Sequence, residues 1–563
     1  MIIKLDKGMI VKFKNKNDYF IALDIAEQRL RHETIVKGFR RNTTTIINSY
    51  ENDDYKKEIV IPRGSGDVLR EIISVLKIKP EIIDNTCKGH KISLQHKFNP
   101  RDTLQVNAIN SFVNNSKKNL ILRASCGFGK SFCALKIIEN LSISTLILVD
   151  ENLLLDQWIE NITNDCVFDL SKLGIIGKGK EDYIDKDVII ASKDTLINRP
   201  EIIDYLNEHI GFVIVDEAHV ASADIFQNVL KKLKPYRVLG LTATPKRSDG
   251  LSYLMHEQIG PICFKAEREK LIELGSIMNP ELRPIYVCRE DYFKELFKKE
   301  KERKKEEMLK IQPDETGKYK IGNRKYTEKT FLNKIKAIDS MDMDWQFLSN
   351  AVENDMSSIR EISKIIKHHY MVGDQSICIC RKIEFAKKYI ETLKFMGVNP
   401  NEIALILGET SSKERKELIE KAKKRELKII ITSSILDKGI SIDSANVLFL
   451  LYPSKNENST EQRIGRISRT YYGKTYAYVY DFIYDHGMFF SQFFKSQKVE
   501  YKECRWNVER YCTTYNKDKI KNFMEYLMDH FYFKTDTVNF KKESINTNFI
   551  TEKELSKNIL YIK

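Results

Sequence analysis

The sequence predicts an α/β protein in which two parallel-sheet domains follow one another, with an accessory domain before them and an extension after. Three observations predict this. Short apolar runs of the buried-strand type alternate with longer helical stretches across residues 96–287, and the same rhythm returns across 346–490; such alternation builds a parallel sheet covered by helices. A charge-dense stretch at 288–345 separates the two. The chain also has 563 residues, more than one ordinary core accommodates.

Residues 1–95 form the expected accessory domain. Apolar residues gather at Ile2 to Leu5, Met9 to Phe13 and Ile59 to Ile61, with turn residues between them, and a helix is expected from about Gly66 to Leu76. In the first α/β domain, 96–287, the strand Leu120-Ile121-Leu122 runs into Ala124-Ser-Cys-Gly127-Phe-Gly129-Lys130-Ser131, which opens a helical stretch from Phe132 to Leu141. This is a Walker A arrangement. Gly127 and Gly129 let backbone N–H groups curl round phosphates at a helix N-terminus. Lys130 is placed to reach the β and γ phosphates of ATP, and Ser131 to put its hydroxyl on Mg²⁺. About 85 residues on, Phe212-Val-Ile-Val215 leads into Asp216-Glu217-Ala218-His219. An apolar strand ending in a carboxylate has Walker B geometry, with Asp216 for the metal and Glu217 as the base that polarises water. Ser192, ending an apolar run, is a candidate phosphate contact, the alternative being a satisfied strand-end hydroxyl.

The stretch 288–345 carries the run Lys298 to Glu307, read as a solvated helix followed by a loop, because alternating charges favour an exposed face over a binding one. The second α/β domain, 346–490, shows strands at Ser376 to Cys380, Ile403 to Leu407, Lys428 to Thr432, Asn446 to Leu451 and Thr475 to Tyr480. The extension, 491–563, is aromatic and basic without a sheet rhythm. Tyr501, Arg505, Trp506 and Tyr511 there fit base stacking or a helical core stripe about equally.

A net charge of +14 suits a polyanionic partner, though biased composition explains it nearly as well. The ten cysteines show no zinc spacing and are expected to be reduced thiols, Cys378 and Cys380 sharing one face of a strand. No apolar stretch is long enough for a bilayer and the N-terminus lacks a signal-peptide run, so a soluble intracellular protein is expected.

Asp216-Glu-Ala-His219 reads as a DEAH box, and with Gly240-Leu-Thr242-Ala-Thr244-Pro245 it resembles the superfamily 2 helicases. The longer string Gly240 to Gly250 is similar to the branch containing XPB, the type I and III restriction motors and UvsW-type phage helicases. The resemblance spans roughly 96–490 and implies two RecA-like domains that clasp one ATP with Mg²⁺. By resemblance, Thr242 and Thr244 couple hydrolysis to domain movement. Asp156-Gln157-Trp158 is similar to a Q-W element that touches the nucleic-acid backbone. Arg101-Asp-Thr-Leu-Gln105-Val-Asn-Ala108 resembles the segment whose glutamine reads adenine; Leu104 stands where tyrosine is usual, and the arginine is displaced by one residue. Gln462-Arg463-Ile-Gly465-Arg466-Ile-Ser-Arg469 matches Q-x-x-G-R-x-x-R, which assigns Gln462, Arg466 and Arg469 to catalysis; at i and i+3 the last two share one helical face. Thr432 to Ile442 resembles the element ending Gly-x-Asp, which makes Gly439 a ribose or phosphate approach point, but Ser441 replaces the aspartate. Ile59-Val-Ile-Pro62-Arg63-Gly64 is similar to an Ile-Pro-Arg-Gly segment that precedes the motor in XPB-like and phage relatives.

The leading expectation is an ATP-dependent DNA helicase or remodeller of branched DNA, with single-stranded, duplex or branched DNA as partner. Its rivals are a duplex translocase that separates no strands, an RNA helicase or transcript-release factor, and, from another class, a binding scaffold with an inactive nucleotide site.

Overall fold

The computed structural model describes residues 1–37, 42–150, 152–219, 228–243, 251–287, 289–432, 442–452, 463–484, 486, 488–489 and 505–506. The chain divides into two compact units, the first spanning Met1–Ile277 and the second beginning at Met278.

Among the described residues the first unit holds two large sheets, beside two-stranded pairings of Arg31–Lys37 with Asn42–Asn48 and of Gln95–His96 with Cys166–Val167. The smaller has the order Glu51–Asp53, Glu58–Ile61, Met9–Lys12, Ile2–Leu5, Glu81–Asp84. Its pairs are antiparallel except the last. Burial alternates along the inner strands, so Ile3, Met9, Val11, Ile59 and Ile61 line one face. Two helices cover it. Gly66–Leu76 contributes Val68, Leu69 and Ile72, as the sequence leads one to expect. Lys16–Leu30, capped by Asn15, contributes Tyr19, Ala22, Ile25, Ala26 and Leu30; it was not expected, because two of those five buried positions are alanines, which barely register as an apolar stripe.

The segment Pro62-Arg63-Gly64 joins this sheet to the larger one. Arg63 is half-buried and its guanidinium donates to the carbonyls of Lys7 (2.8 Å), Leu230 (3.3 Å) and Leu233. The Gly64 N–H donates to Glu257 O at 2.8 Å. A Cβ on Gly64 would collide with His256 O and lie 2.6 Å from Glu257 O, so only glycine permits this approach.

The larger sheet runs Lys180–Asp182, Leu173–Gly177, Val188–Ser192, Thr145–Val149, Phe212–Val215, Arg237–Thr242, Asn119–Ala124, Ile262–Ala266. All its pairs are parallel except the first. Every residue of the four strands at its centre, Val188–Ser192 to Arg237–Thr242, is buried, the signature of a sheet covered on both faces. Leu122, Ile147 and Leu239 face one core, and Ile121, Leu146 and Val213 the other.

The second unit is built on a parallel sheet of order Ile403–Ile406, Ile429–Thr432, Ser376–Ile379, Val447–Leu450, Tyr478–Tyr484, Glu281–Val287, Arg505–Trp506. The strand Glu281–Val287, which falls within the 96–287 span expected for the first domain, instead pairs in register with Tyr478–Tyr484. Its Leu282 and Ile285 are buried, and Arg283 donates to the Tyr480 hydroxyl at 3.0 Å. The boundary therefore falls near Ile277. The charge-dense segment after this strand forms the helix Glu290–Leu309, a hairpin of Tyr319–Ile321 with Arg324–Tyr326, and the helix Glu328–Asp339. It is not wholly solvated: Phe293 and Phe297 are buried, and Arg289 at its root holds Asp355 through two bonds of 2.6 and 2.7 Å. Cys133, Cys166, Cys378 and Cys380 are buried free thiols, and burial pushes the Cys380 thiol up to about 12. No described helix is long and apolar enough to cross a membrane.

Candidate active site

The strand Asn119–Ala124 delivers the chain into the phosphate loop, and Phe128, fully buried, anchors that loop in the core. Gly127 (φ 87°) and Gly129 (φ 93°) hold left-handed conformations that other residues rarely adopt. A Cβ on Gly129 would lie 2.7 Å from the Gln105 amide nitrogen. The helix Lys130–Leu141 begins immediately, so Lys130 and Ser131 stand on its first turn. Lys130 Nζ donates to Ala124 O at 3.1 Å, folded back over its own loop.

Gln105 is buried and braces the same loop. Its Nε2 donates to Phe128 O (2.8 Å), while its Oε1 accepts the Arg101 N–H (2.7 Å). A carboxamide has two donor hydrogens and two acceptor sites, so one of each is left for an adenine edge.

Asp216 and Glu217 leave the end of Phe212–Val215. Because that strand, Arg237–Thr242 and Asn119–Ala124 are neighbouring and parallel, Asp216, Thr242 and the phosphate loop share one edge of the sheet, where open α/β sheets place their ligands. Asp216 is buried, its Oδ2 accepting the indole N–H of Trp158 at 2.8 Å and its Oδ1 the Glu217 N–H at 2.9 Å. Burial first, and then the charge of Glu217, pushes its carboxyl up to about 6, against the pull of the Trp158 bond and of Lys130. Glu217 sits at φ 47°, a strained backbone for a residue with a Cβ. Its Oε2 lies 3.3 Å from His219 Nδ1, which in turn lies 3.4 Å from Thr242 Oγ1. Thr242, the expected coupling residue, thus touches the acidic element through His219, a link not expected from the sequence.

These residues fit a triphosphate with a divalent cation. Gly127 and Gly129 hold the left-handed backbone of a phosphate loop at a helix N-terminus, and a cation beside Asp216 would favour its ionised form against burial and the charge of Glu217. No group of three or more His, Cys, Asp or Glu among the described residues could hold a metal alone, so an ion at Ser131 and Asp216 would draw its other ligands from phosphate oxygens and water.

Trp158 is not available to nucleic acid. It is among the largest fully buried side chains, on the same face of the helix Asn152–Asp165 as Leu154, Leu155 and Ile162, and its one polar atom is spent on Asp216. The expected backbone contact is therefore corrected to a bond that holds the acidic site. Gln157, beside it, is half-buried, and Ser192 is buried at its strand end.

In the second unit, residues 463–467 are helical. Arg466 is on that helix and partly exposed, but Arg469 lies beyond it, so the expected single helical face is not formed. Arg469 Nη1 meets Asp443 Oδ1 at 3.3 Å. Asp443 is thereby engaged close to the position where the Gly-x-Asp element lacks its aspartate. Gln462, Gly439 and Thr244 lie outside the described residues.

A family model described as "Type III restriction enzyme, res subunit" matches residues 95–247, and one described as "Helicase conserved C-terminal domain" matches 357–471. A helicase-like protein of Sulfolobus islandicus filamentous virus is 28% identical over 72% of this chain and 67% of its own. The DNA 3'-5' translocase XPB2 of Sulfurisphaera tokodaii is 26% identical over 67% of this chain and 80% of its own. The fold is similar to that in the structure of the ATP-dependent Type ISP restriction-modification enzyme LlaBIII bound to DNA, with a TM-score of 0.50 at 14% identity, covering 82% of this chain and 37% of that one. With the two matched models falling one on each sheet-based unit and the ordered motifs within them, the chain belongs to superfamily 2 of the helicases and translocases, related to its XPB-like and restriction-motor branches.

Proposed function

We propose that the chain is an ATP-dependent DNA helicase or translocase that couples hydrolysis to movement on, or remodelling of, DNA. The observation that carries this reading is the meeting, on one sheet edge, of a glycine cradle, Lys130 and an acidic pair whose buried Asp216 is kept from ionising at its usual pH by burial and by the charge of Glu217. The loop N–H groups and Lys130 bind the phosphates of ATP. Ser131 and Asp216 would hold Mg²⁺, which when bound supplies positive charge to the phosphate oxygens. Glu217 takes the proton of the attacking water, and His219 carries the state of that group to Thr242. Arg466 and Arg469 stabilise charge on the phosphoryl group in flight, with Gln462 assisting; such arginines are worth on the order of 10³ to 10⁵ in rate elsewhere. Gln105 recognises the base, and Thr244, Gly439, Gln157 and Ser192 keep the coupling, nucleotide and backbone roles that the resemblance and their positions suggest.

DNA is favoured by the relative named a DNA translocase and by the net charge of +14. That same name favours a second reading, duplex translocation without unwinding; strand-displacement and triplex-displacement assays separate the two. The deciding experiment is ATPase stimulation by single-stranded, duplex, forked and four-way DNA, beside RNA, at a stated salt concentration. Stimulation by DNA, lost in Lys130→Ala and Glu217→Gln, is expected. Preference for RNA would replace the DNA reading, no turnover with any nucleic acid would support a scaffold, and normal turnover in either variant would defeat the site assignment.

A further inference from the structure

We propose that Lys474 is a positioning residue for the arginines of the second unit: its ammonium clamps the end of the 463–467 helix to the Asp443 turn and so sets where Arg466 and Arg469 project. The proposal rests on the arginine roles given under the proposed function. Lys474 lies in a turn that its own N–H closes on Tyr471 O at 3.0 Å, with Gly473 left-handed at φ 78°. That turn brings the side chain back beneath the helix end. There Nζ donates to Ile467 O (2.7 Å), Arg469 O (3.1 Å) and Asp443 O (3.2 Å). An ammonium has three hydrogens, and all three are used.

Two ties therefore run between the Asp443 turn and the segment bearing the arginines. One is the Arg469–Asp443 ion pair, with roughly a third or more of each side chain exposed, and an exposed pair of that kind holds little. The other is the half-buried Lys474 clamp, made of three charge-assisted bonds to main chain, which are stronger than bonds between neutral groups. Ile467 O belongs to the last helical residue and has no partner further along the helix. The clamp thus fixes the main chain at Arg469 directly and the helix bearing Arg466 from its end.

The clamp is also titratable. Burial, with Arg469 and Arg425 nearby, pushes the Lys474 amine down to about 8 against the attraction of Asp443. Deprotonation leaves two donors for three carbonyls, so the positioning weakens as pH rises through about 8. Fold stability from this group moves the other way. Its folded value lies below the unfolded one near 10.4, so its contribution rises between about 8 and 10. A rate that falls while the melting temperature holds is the mark of positioning.

The test is DNA-stimulated ATPase of the full chain from about pH 7 to 9.5, with melting temperatures, in wild type, Lys474→Met, Lys474→Arg, Arg466→Ala and Arg469→Ala. Lys474→Met is expected to lower kcat by about tenfold to a hundredfold, with KM for ATP nearly unchanged, as for a misplaced catalytic group. Wild-type kcat is expected to fall above about pH 8, and Lys474→Arg, whose charge does not titrate, to lose that limb. A wild-type rate in Lys474→Met, a loss matching only its unfolded fraction, or an unchanged alkaline limb in Lys474→Arg overturns the proposal; should Lys474→Met not fold, Lys474→Arg decides. Wild-type rates in both arginine variants would instead overturn the arginine roles, and the proposal with them.

Discussion

Trp158 donates to the carboxylate that a divalent cation would need ionised, and this makes the tryptophan part of the site's acid–base behaviour. Asp216 is held up to about 6 by burial and by Glu217, and the Trp158 bond opposes that rise. Because its folded value exceeds the unfolded one, its ionisation costs stability, a cost that builds as pH climbs from about 4 to 6 and is complete at neutrality. The usable state of the site therefore disappears as pH falls through about 6. Removing the donor in Trp158→Phe should move the acid limb of the ATPase profile upward, by about 0.7 pH unit if the bond is worth ~1 kcal/mol. An unmoved limb would show that Trp158 only fills space. The carboxylate pair was legible in the sequence because strand and acid are adjacent; its tryptophan was not, being 58 residues away. A pattern shared with nucleic-acid contacts pointed to the wrong partner, when bulk and an apolar helix face should have pointed inward.

The element that docks the N-terminal sheet is the segment Pro62-Arg63-Gly64. It was visible in the sequence only as a likeness to other proteins, since nothing local tells why glycine and arginine are needed. The reason is contact across the fold: a backbone approach too close for a Cβ at Gly64, and a guanidinium serving three carbonyls at Arg63. Gly64→Ala should destabilise the first unit by a few kcal/mol, roughly what a forced backbone clash costs. Arg63→Ala, which strands buried carbonyls, should cost about 3 kcal/mol or more. Thermal or urea unfolding reads both, and wild-type midpoints would mean that the sheets dock by other contacts. Strands were the most legible elements, because the central ones are buried at every position and built mostly of apolar residues. The helix Lys16–Leu30 was hidden by its alanines, and the rooted end of the charged helix by two phenylalanines in a run of lysine and glutamate.

For the whole molecule, charge sets the regime in which binding is measured. With a net charge of +14, the DNA concentration for half-maximal ATPase should rise steeply with salt, with a log–log slope of about −0.7 to −0.9 in affinity for each phosphate neutralised. A flat response between 50 and 200 mM salt, roughly the range over which such contacts are usually lost, would exclude backbone-dominated binding. The two-sheet architecture was readable from rhythm alone, but the boundary was not. Glu281–Val287 comes after the first set of strands in sequence, and only pairing assigns it to the second sheet.

That assignment also orders events on the ribosome. Residues up to Ile277 contain every described strand of the first unit's sheets, so that unit can close while the rest is still being made. Glu281–Val287 emerges next, yet its partner arrives far later, Arg283 and Tyr480 being 197 residues apart. Throughout that interval a strand carrying Leu282, Ile285 and Val287 waits with both edges open, the condition in which nascent chains are captured by chaperones or by one another.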